Sequence, residues 1–299
     1  MKTAIATPNG IELAELEELA PGPGEVLLEV RAAAVNPVDA MIEAGVPREL
    51  GWVPADAPIG LGADVAGTVL AIGAGVFAER PELAPGVRVA GFRGDFVSAR
   101  GTFAHRVVLP AASLAVIPEA LDFVEAATIP LNSSTAAQAI ALAGEPSGTL
   151  LVTGAAGAVG GLAVTLARRA GWRVAALARP ADVGFLQEAG AEEIIASLGK
   201  ARFDAVLDAA ALGEPAVDAV ADGGTYVGLV PPALPVSERV VTTALTAVPE
   251  SSELAAHLEL AADGVLAPRV FAAWPLERAA EAIAAVAAGG VRGRYVLVS

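Results

Sequence analysis

Gly154, Gly157 and Gly160 stand at three-residue spacing behind the apolar run Leu150-Leu-Val-Thr and ahead of a helical stretch. Without a Cβ, glycine lets the chain turn tightly and lets a diphosphate come close to the backbone. The helix that follows turns unpaired N–H groups and partial positive charge toward that anion. Between a buried strand and a helix the spacing is specific, and it predicts a dinucleotide site formed by Gly154, Ala156, Gly157, Ala158, Val159 and Gly160. The competing reading is a tight strand-to-helix turn with no ligand. The next strand ends Ala178-Arg179-Pro180, with no carboxylate before Asp182. Asp or Glu at that place accepts from a ribose 2′-hydroxyl, whereas Arg suits a 2′-phosphate through charge-assisted hydrogen bonds. Arg179 therefore predicts NADPH over NADH, against the reading of an ordinary solvated side chain. Ser197, Ala210, Gly228 and Leu229 lie where further strands end, the edge at which such sheets make backbone contacts to a cofactor.

These residues need a parallel sheet to position them, and the sequence supplies one. TLLVTG (149–154), RVAALAR (173–179), EEIIA (192–196), FDAVLDA (203–209) and GTYVGLV (224–230) read as strands. Helical pieces lie over 158–170 and 185–189, and before the first strand over 125–144, where a break falls near Pro130–Asn132. Strands alternating with helices imply a doubly wound sheet. Up to about Pro118 the pattern differs: GEVLLEVRAAAV (24–35), ADVAGTVLAIG (63–73), GVRVAGF (86–92) and FAHRVVL (103–109) are short runs cut by Gly and Pro. They predict short antiparallel strands in a barrel or sandwich, with one helical piece near Pro37–Ala44. Beyond Pro249 come a helix over 253–262, a strand near Val270, an Ala-rich helix over 275–288 and a final strand, GRYVLVS. A tail with the grammar of the opening is expected to complete the first domain.

Composition sets the outer limits. At about 150 residues per domain, 299 residues predict two domains. A net charge of −15 excludes a nucleic-acid groove and argues against anionic membrane surfaces. No Cys and only two His remove thiolate zinc sites, iron–sulfur clusters and cysteine nucleophiles. His105 reads as structural within a strand-like run and His257 as a surface residue on a helix. Apolar residues make up 55% of the chain, yet no uninterrupted run is long enough to span a bilayer, and MKTAIATPNG lacks the apolar centre of a secretory signal. The reading is a soluble cytoplasmic protein. Tyr226 and Tyr295 are followed four residues later by Val230 and Ser299, so the Tyr–Lys pair of short-chain dehydrogenases is missing. Neither a GxxxxGK[ST] loop nor a GxSxG elbow occurs.

The segments AAVNPVDAMIEAG (33–45), LGADVAGTVLAIGAGV (61–76), GTFAHRVVLP (101–110), ATIPLNSSTAAQAI (127–140), VTGAAGAVGG (152–161) and GVRGRYVLV (290–298) together resemble the medium-chain dehydrogenase/reductase family, and within it the zinc-free quinone oxidoreductases. The resemblance covers nearly the whole chain. It implies an α/β protein with a GroES-like β-barrel domain over 1–120, completed by 266–299, and a Rossmann-type NADPH-binding domain over 121–265. It also implies an oxidoreductase that passes hydride from NADPH to a quinone or an α,β-unsaturated carbonyl; an enoyl-thioester reductase and a non-catalytic NADPH sensor stay open beside it. Zinc members place Cys where this chain has Asn36, His where it has Ala63, and a third ligand near Leu131. Asp39 and Asp64 remain there, two carboxylates without imidazole or thiolate, a poor zinc site. Asn36 is a candidate to touch the nicotinamide or a substrate oxygen, or simply an Asn at a turn. Asp39 reads as a brace for the following helix or a proton-transfer group, and Thr135 resembles a hydroxyl beside the nicotinamide ring. Met41 stands where many relatives carry Tyr, no Lys follows the second strand, and the stretch after Thr243 is abbreviated. Solvent is then the expected proton source. The strand-like ERVVTTALT (238–246) resembles an edge that pairs across a two-fold axis, which implies a homodimer.

Overall fold

Short runs with apolar side chains alternating onto one face suit strands, whose side-chain period is two. In a computed structural model, which describes residues 1–17, 19–229 and 234–299, the first third forms β1 (Lys2–Thr7), β2 (Gly10–Glu15), β3 (Glu25–Ala34), β4 (Ile59–Gly60), β5 (Asp64–Ile72), β6 (Arg88–Phe92), β7 (Arg106–Pro110) and β8 (Leu114–Val116). Three short helices interrupt them, α1 (Pro37–Glu43), α2 (Val46–Glu49) and α3 (Val76–Glu79). Two more follow, α4 (Phe123–Ala126) and α5 (Pro130–Leu142). The break expected at Pro130–Asn132 lies just before Pro130, which opens α5 because a helix's first turn needs no N–H from it. Next come β9 (Thr149–Thr153), α6 (Ala158–Arg169), β10 (Arg173–Leu177), α7 (Val183–Glu188), β11 (Glu193–Ile195), β12 (Phe203–Asp208), α8 (Glu214–Asp218), β13 (Val220–Gly228) and β14 (Val241–Ala244). The chain ends with α9 (Ser251–Ala262), β15 (Val270–Pro275), α10 (Ala279–Ala288) and β16 (Arg294–Val298). Val230, the last residue of the expected strand GTYVGLV, lies outside the described residues.

The chain divides into two units, Met1–Leu131 with Pro249–Ser299, and Asn132–Val248. Residues 121–131 and 249–265, assigned from the sequence to the nucleotide-binding domain, fall with the first unit. The physical reason is packing: α9 lies against β8, and α4 against β3 and β5. Helical periodicity identifies a helix without identifying the surface that buries it.

In the first unit β3 is the organising strand. It pairs antiparallel with β5 along its length, with β7 through Glu25–Glu29 and with β16 through Ala32–Ala34, so the terminal strand closes on the centre of this sheet. Val26, Leu28 and Val30 alternate into the core, after which Ala32, Ala33 and Ala34 are all buried. In the second unit all strand pairs are parallel and the order is β11-β10-β9-β12-β13-β14. Strand order reverses between β9 and β12, and ligands of such sheets bind beyond the carboxyl ends of the strands at that point. No helix separates β11 from β12. Among the described residues no helix is long and apolar enough to cross a membrane.

Candidate functional site

The predicted glycine turn lies in the second unit, where β9 ends at the reversal point. Gly154 has φ +57°, left-handed backbone that favours glycine, and the Gly157 N–H closes the turn on Gly154 O at 2.8 Å. Gly157 then precedes α6 with no side chain capping its first turn. Those N–H groups are the donors a diphosphate would meet. A Cβ on Gly160 would lie 2.2 Å from Gly154 O, so only glycine lets α6 pack against the turn. Ala158 is buried, and Ala156 and Val159 are half-buried on the same stretch. The geometry fits a dinucleotide diphosphate.

Hydrogen bonds tie this turn to the loop that follows β12. The Thr153 hydroxyl donates to Asp208 Oδ1 at 2.6 Å and accepts from the Ala210 N–H at 3.0 Å. Asp208 Oδ2 accepts from the Gly213 N–H and the Tyr226 hydroxyl, each at 2.9 Å. Asp208 is buried, and burial together with its nearby charge pushes the Tyr226 phenol well above its usual range. Ala210 and Ser197 are exposed, Gly228 is buried at the end of β13, and Leu229 is half-buried beyond it. Arg179 is 70% exposed, with Nε 3.8 Å from Asp182 Oδ2. Thr135 lies half-buried on α5, in the second unit.

The first unit holds the other expected site residues in its interior. Asp39 is fully buried and accepts from the backbone N–H groups of Asn36 and Gly62, both at 2.8 Å. Through these two bonds Asp39 fixes the start of α1 against the Gly62 segment. Asn36, 2% exposed, donates both amide hydrogens inward, to Asp64 Oδ2 at 2.7 Å and Ala34 O at 3.2 Å. Both hydrogens are committed, which counts against donation to a substrate oxygen, while Asn36 Oδ1 is buried with no hydrogen-bond partner and stays open to a nicotinamide donor. Asp64 also accepts from the Leu131 N–H at 2.8 Å. Burial raises both carboxyls, Asp39 to about 6 and Asp64 to about 7, although backbone donors and the charge of Arg294 pull the other way. Burial in turn lowers Arg294 to about 10 against the pull of the two carboxylates. Arg93 spends its guanidinium on the carbonyls of Gly60, Gly62 and Arg100.

Asp208, Tyr226, Thr153 and Arg294 escaped the sequence reading. A carboxylate closing the apolar run FDAVLD was the available signal for Asp208. His105 is exposed just before β7, outside the strand proper. His257 is buried, not a surface residue: it shares the inward face of α9 with Leu254, Leu258 and Ala261, and burial lowers its pKa.

Residues 22–119 match the family model described as alcohol dehydrogenase GroES-like domain, and residues 188–297 the one described as zinc-binding dehydrogenase. The donor set does not fit the metal in that description. Asn36, Ala63 and Leu131 occupy the positions that resemble zinc-ligand positions, and no cluster of three or more His, Cys, Asp or Glu is placed for a metal ion among the described residues. The chain is 33% identical over 233 residues to the 2-methylene-furan-3-one reductase of Solanum lycopersicum and 31% identical over 233 residues to the chloroplastic NADPH-dependent alkenal/one oxidoreductase of Arabidopsis thaliana. Each alignment covers 73% of this chain and 58% of the relative, so the chain spans little more than half the length of these curated relatives. The quinone oxidoreductase structure from Coxiella burnetii superposes with a TM-score of 0.86 at 24% identity, covering 100% of this chain and 99% of that one. An antiparallel β unit completed by the terminal strand, a parallel sheet reversing at a glycine turn, and these matches make one statement: the chain belongs to the medium-chain dehydrogenase/reductase family.

Proposed function

We propose that this protein is a zinc-independent, NADPH-dependent reductase of quinones or α,β-unsaturated carbonyls. The observation that carries the reading is the glycine turn at the reversal point, with Gly160 packed where no Cβ fits and an uncapped α6 behind it. The similarity to a furanone reductase and an alkenal/one oxidoreductase supports the acceptor class.

When bound, NADPH supplies a hydride. Gly154, Ala156 and Gly157 shape the turn around the diphosphate, with the Gly157 N–H closing it on Gly154 O, and the N–H groups that open α6 at Ala158, Val159 and Gly160, with the α6 dipole, hold the anion. Arg179 meets the 2′-phosphate, and Ser197, Ala210, Gly228 and Leu229 line the cofactor edge of the sheet. Asn36 and Asp39 keep the first unit's interior rigid, and the Thr135 hydroxyl is the side chain put forward to orient the nicotinamide ring. Because the residues at the zinc-ligand positions cannot hold a Lewis acid, the acceptor has to delocalise the incoming charge itself, as a conjugated carbonyl does. Solvent protonates the product oxygen or carbon. A homodimer through the open edge of β14, where Val241 is 60% exposed, is part of the same proposal.

Calorimetry with NADPH and NADH, followed by loss of nicotinamide absorbance with quinones, enones and enoyl thioesters, tests it. The expected result is tighter binding of NADPH, weakened roughly ten- to a hundredfold by Arg179→Ala, and turnover with quinones or enones. No heat with either nucleotide refutes the proposal; binding with no turnover on any acceptor leaves a sensor in its place.

A further inference from the structure

Four N–H groups of the loop after β12 are bonded within the protein. Those of Ala209 and Ala211 bond to Leu207 O and Asp208 O, that of Ala210 to the Thr153 hydroxyl, and that of Gly213 to Asp208 Oδ2. Ala211 is held at φ +53°, a left-handed conformation costly for alanine, which persists only where surrounding structure imposes it. The Asp208 carboxylate ties this loop to the strands beside it. One oxygen takes the Thr153 hydroxyl at the last residue of β9, immediately before the glycine turn; the other takes Gly213 at the far end of the loop and Tyr226 from the neighbouring strand. Tyr226 is 3% exposed and Asp208 1%, so neither group has water as an alternative partner. Three elements that are distant in sequence are thereby fixed to one carboxylate, and the separation of the glycine turn from the 209–213 loop is fixed with them. Gly154 already lies so near Ala210 that a Cβ on it would sit 3.1 Å from the Ala210 nitrogen.

We infer that Asp208 is a positioning residue for the dinucleotide, acting through Thr153, Ala210 and Gly213, with Tyr226 holding its carboxylate in place. The inference rests on the nucleotide-dependent reading above and adds residues that make no contact with the nucleotide. With the N–H groups of Ala209, Ala210, Ala211 and Gly213 consumed, the loop offers chiefly carbonyl oxygens, so the ligand groups it suits are hydroxyl or amide donors rather than phosphates. The glycine turn suits the diphosphate. A dinucleotide carries both kinds of group at a set distance, and the Asp208 network matches the protein to that distance.

The test compares the full chain with Thr153→Val, which keeps the shape and loses the hydroxyl, Thr153→Ser, which keeps the hydroxyl, and Tyr226→Phe. Each is titrated calorimetrically with NADP⁺ and with adenosine 2′,5′-bisphosphate, a fragment that ends before the second half of the dinucleotide. Thr153→Val is expected to weaken NADP⁺ about tenfold, Tyr226→Phe to act in the same direction, Thr153→Ser to restore affinity, and the fragment to bind all four proteins alike. A merely structural contribution would shift the melting temperature without separating NADP⁺ from the fragment. Unchanged NADP⁺ affinity in folded Thr153→Val and Tyr226→Phe overturns the inference, as does an equal loss for both ligands. If the unsubstituted chain binds neither, the underlying reading falls and takes this one with it.

Discussion

Replacing Asp64 by Asn should flatten the dependence of stability on pH, and the sign follows from burial. Asp64 is fully buried, and removal from water raises its carboxyl from 3.8 to about 7; the Leu131 N–H, the Asn36 amide and Arg294 reduce that rise, and Asp39 adds to it. The folded pKa lies above the unfolded one. Between these values the native state holds a proton that the unfolded chain has released, so the group's contribution is complete below about pH 4 and is lost as pH rises through 7. From pH 5 to pH 8 the chain crosses about two pH units of that range, and at about 1.4 kcal/mol per unit the loss is at most roughly 3 kcal/mol. Asp39, raised to about 6 in the same cluster, works in the same direction, but the two share Arg294 and their contributions do not simply add. Asn at 64 keeps the shape and an acceptor for Leu131, and it cannot ionise. Urea unfolding at pH 5 and pH 8 should show unsubstituted protein losing stability relative to Asp64→Asn as pH rises. Parallel changes in the two proteins would refute the argument.

Gly160→Ala sets a Cβ 2.2 Å from Gly154 O, and the overpacking should cost about 1–3 kcal/mol in denaturant unfolding as well as weakening NADPH in calorimetry. Asp182→Asn removes the carboxylate 3.8 Å from Arg179 Nε and should raise the preference for NADPH over NADH, read as a ratio of dissociation constants. His257→Leu should stabilise the protein more at pH 5.5 than at pH 8 in thermal unfolding. Burial lowers the folded pKa of His257 below its unfolded value, so its unfavourable contribution appears as pH falls, when the unfolded chain takes up a proton the native state resists.

What was legible in the sequence was local. The strand–turn–helix at 149–169 needs only residues within one turn of each other, and glycine spacing states it directly. Strand order and the unit boundary depend on which surfaces meet, and α9 shows the difference: its helix was readable, its packing on β8 was not. His257 is instructive, because Leu254, Leu258 and Ala261 mark an inward face at helical spacing and the histidine falls on it; the period was present, and the polar identity of the residue obscured it. The Thr153–Asp208–Tyr226 network joins residues 55 and 18 positions apart, and Asn36 meets Asp64 across 28. Spacing carries no information at those separations. The sequence offered Asn36 either as a contact to the nicotinamide or a substrate oxygen or as an Asn at a turn; only the structure shows its two hydrogens committed to Asp64 and Ala34.

The interior of the first unit bears on the acceptor class proposed above. Two carboxylates, Asp39 and Asp64, are buried there, and charges of one sign cannot be removed from water together without compensation. Arg294 faces both of them, and Arg93 adds its charge at Asp39. A guanidinium offsets negative charge as a metal ion would, and that of Arg93 is committed to three backbone carbonyls. It offers no open coordination position through which to polarise a carbonyl. The arrangement stabilises the fold around Asn36, and under the proposed function it supplies no Lewis acid to a simple ketone. An acceptor whose conjugation carries the new charge away from the attacked carbon needs none.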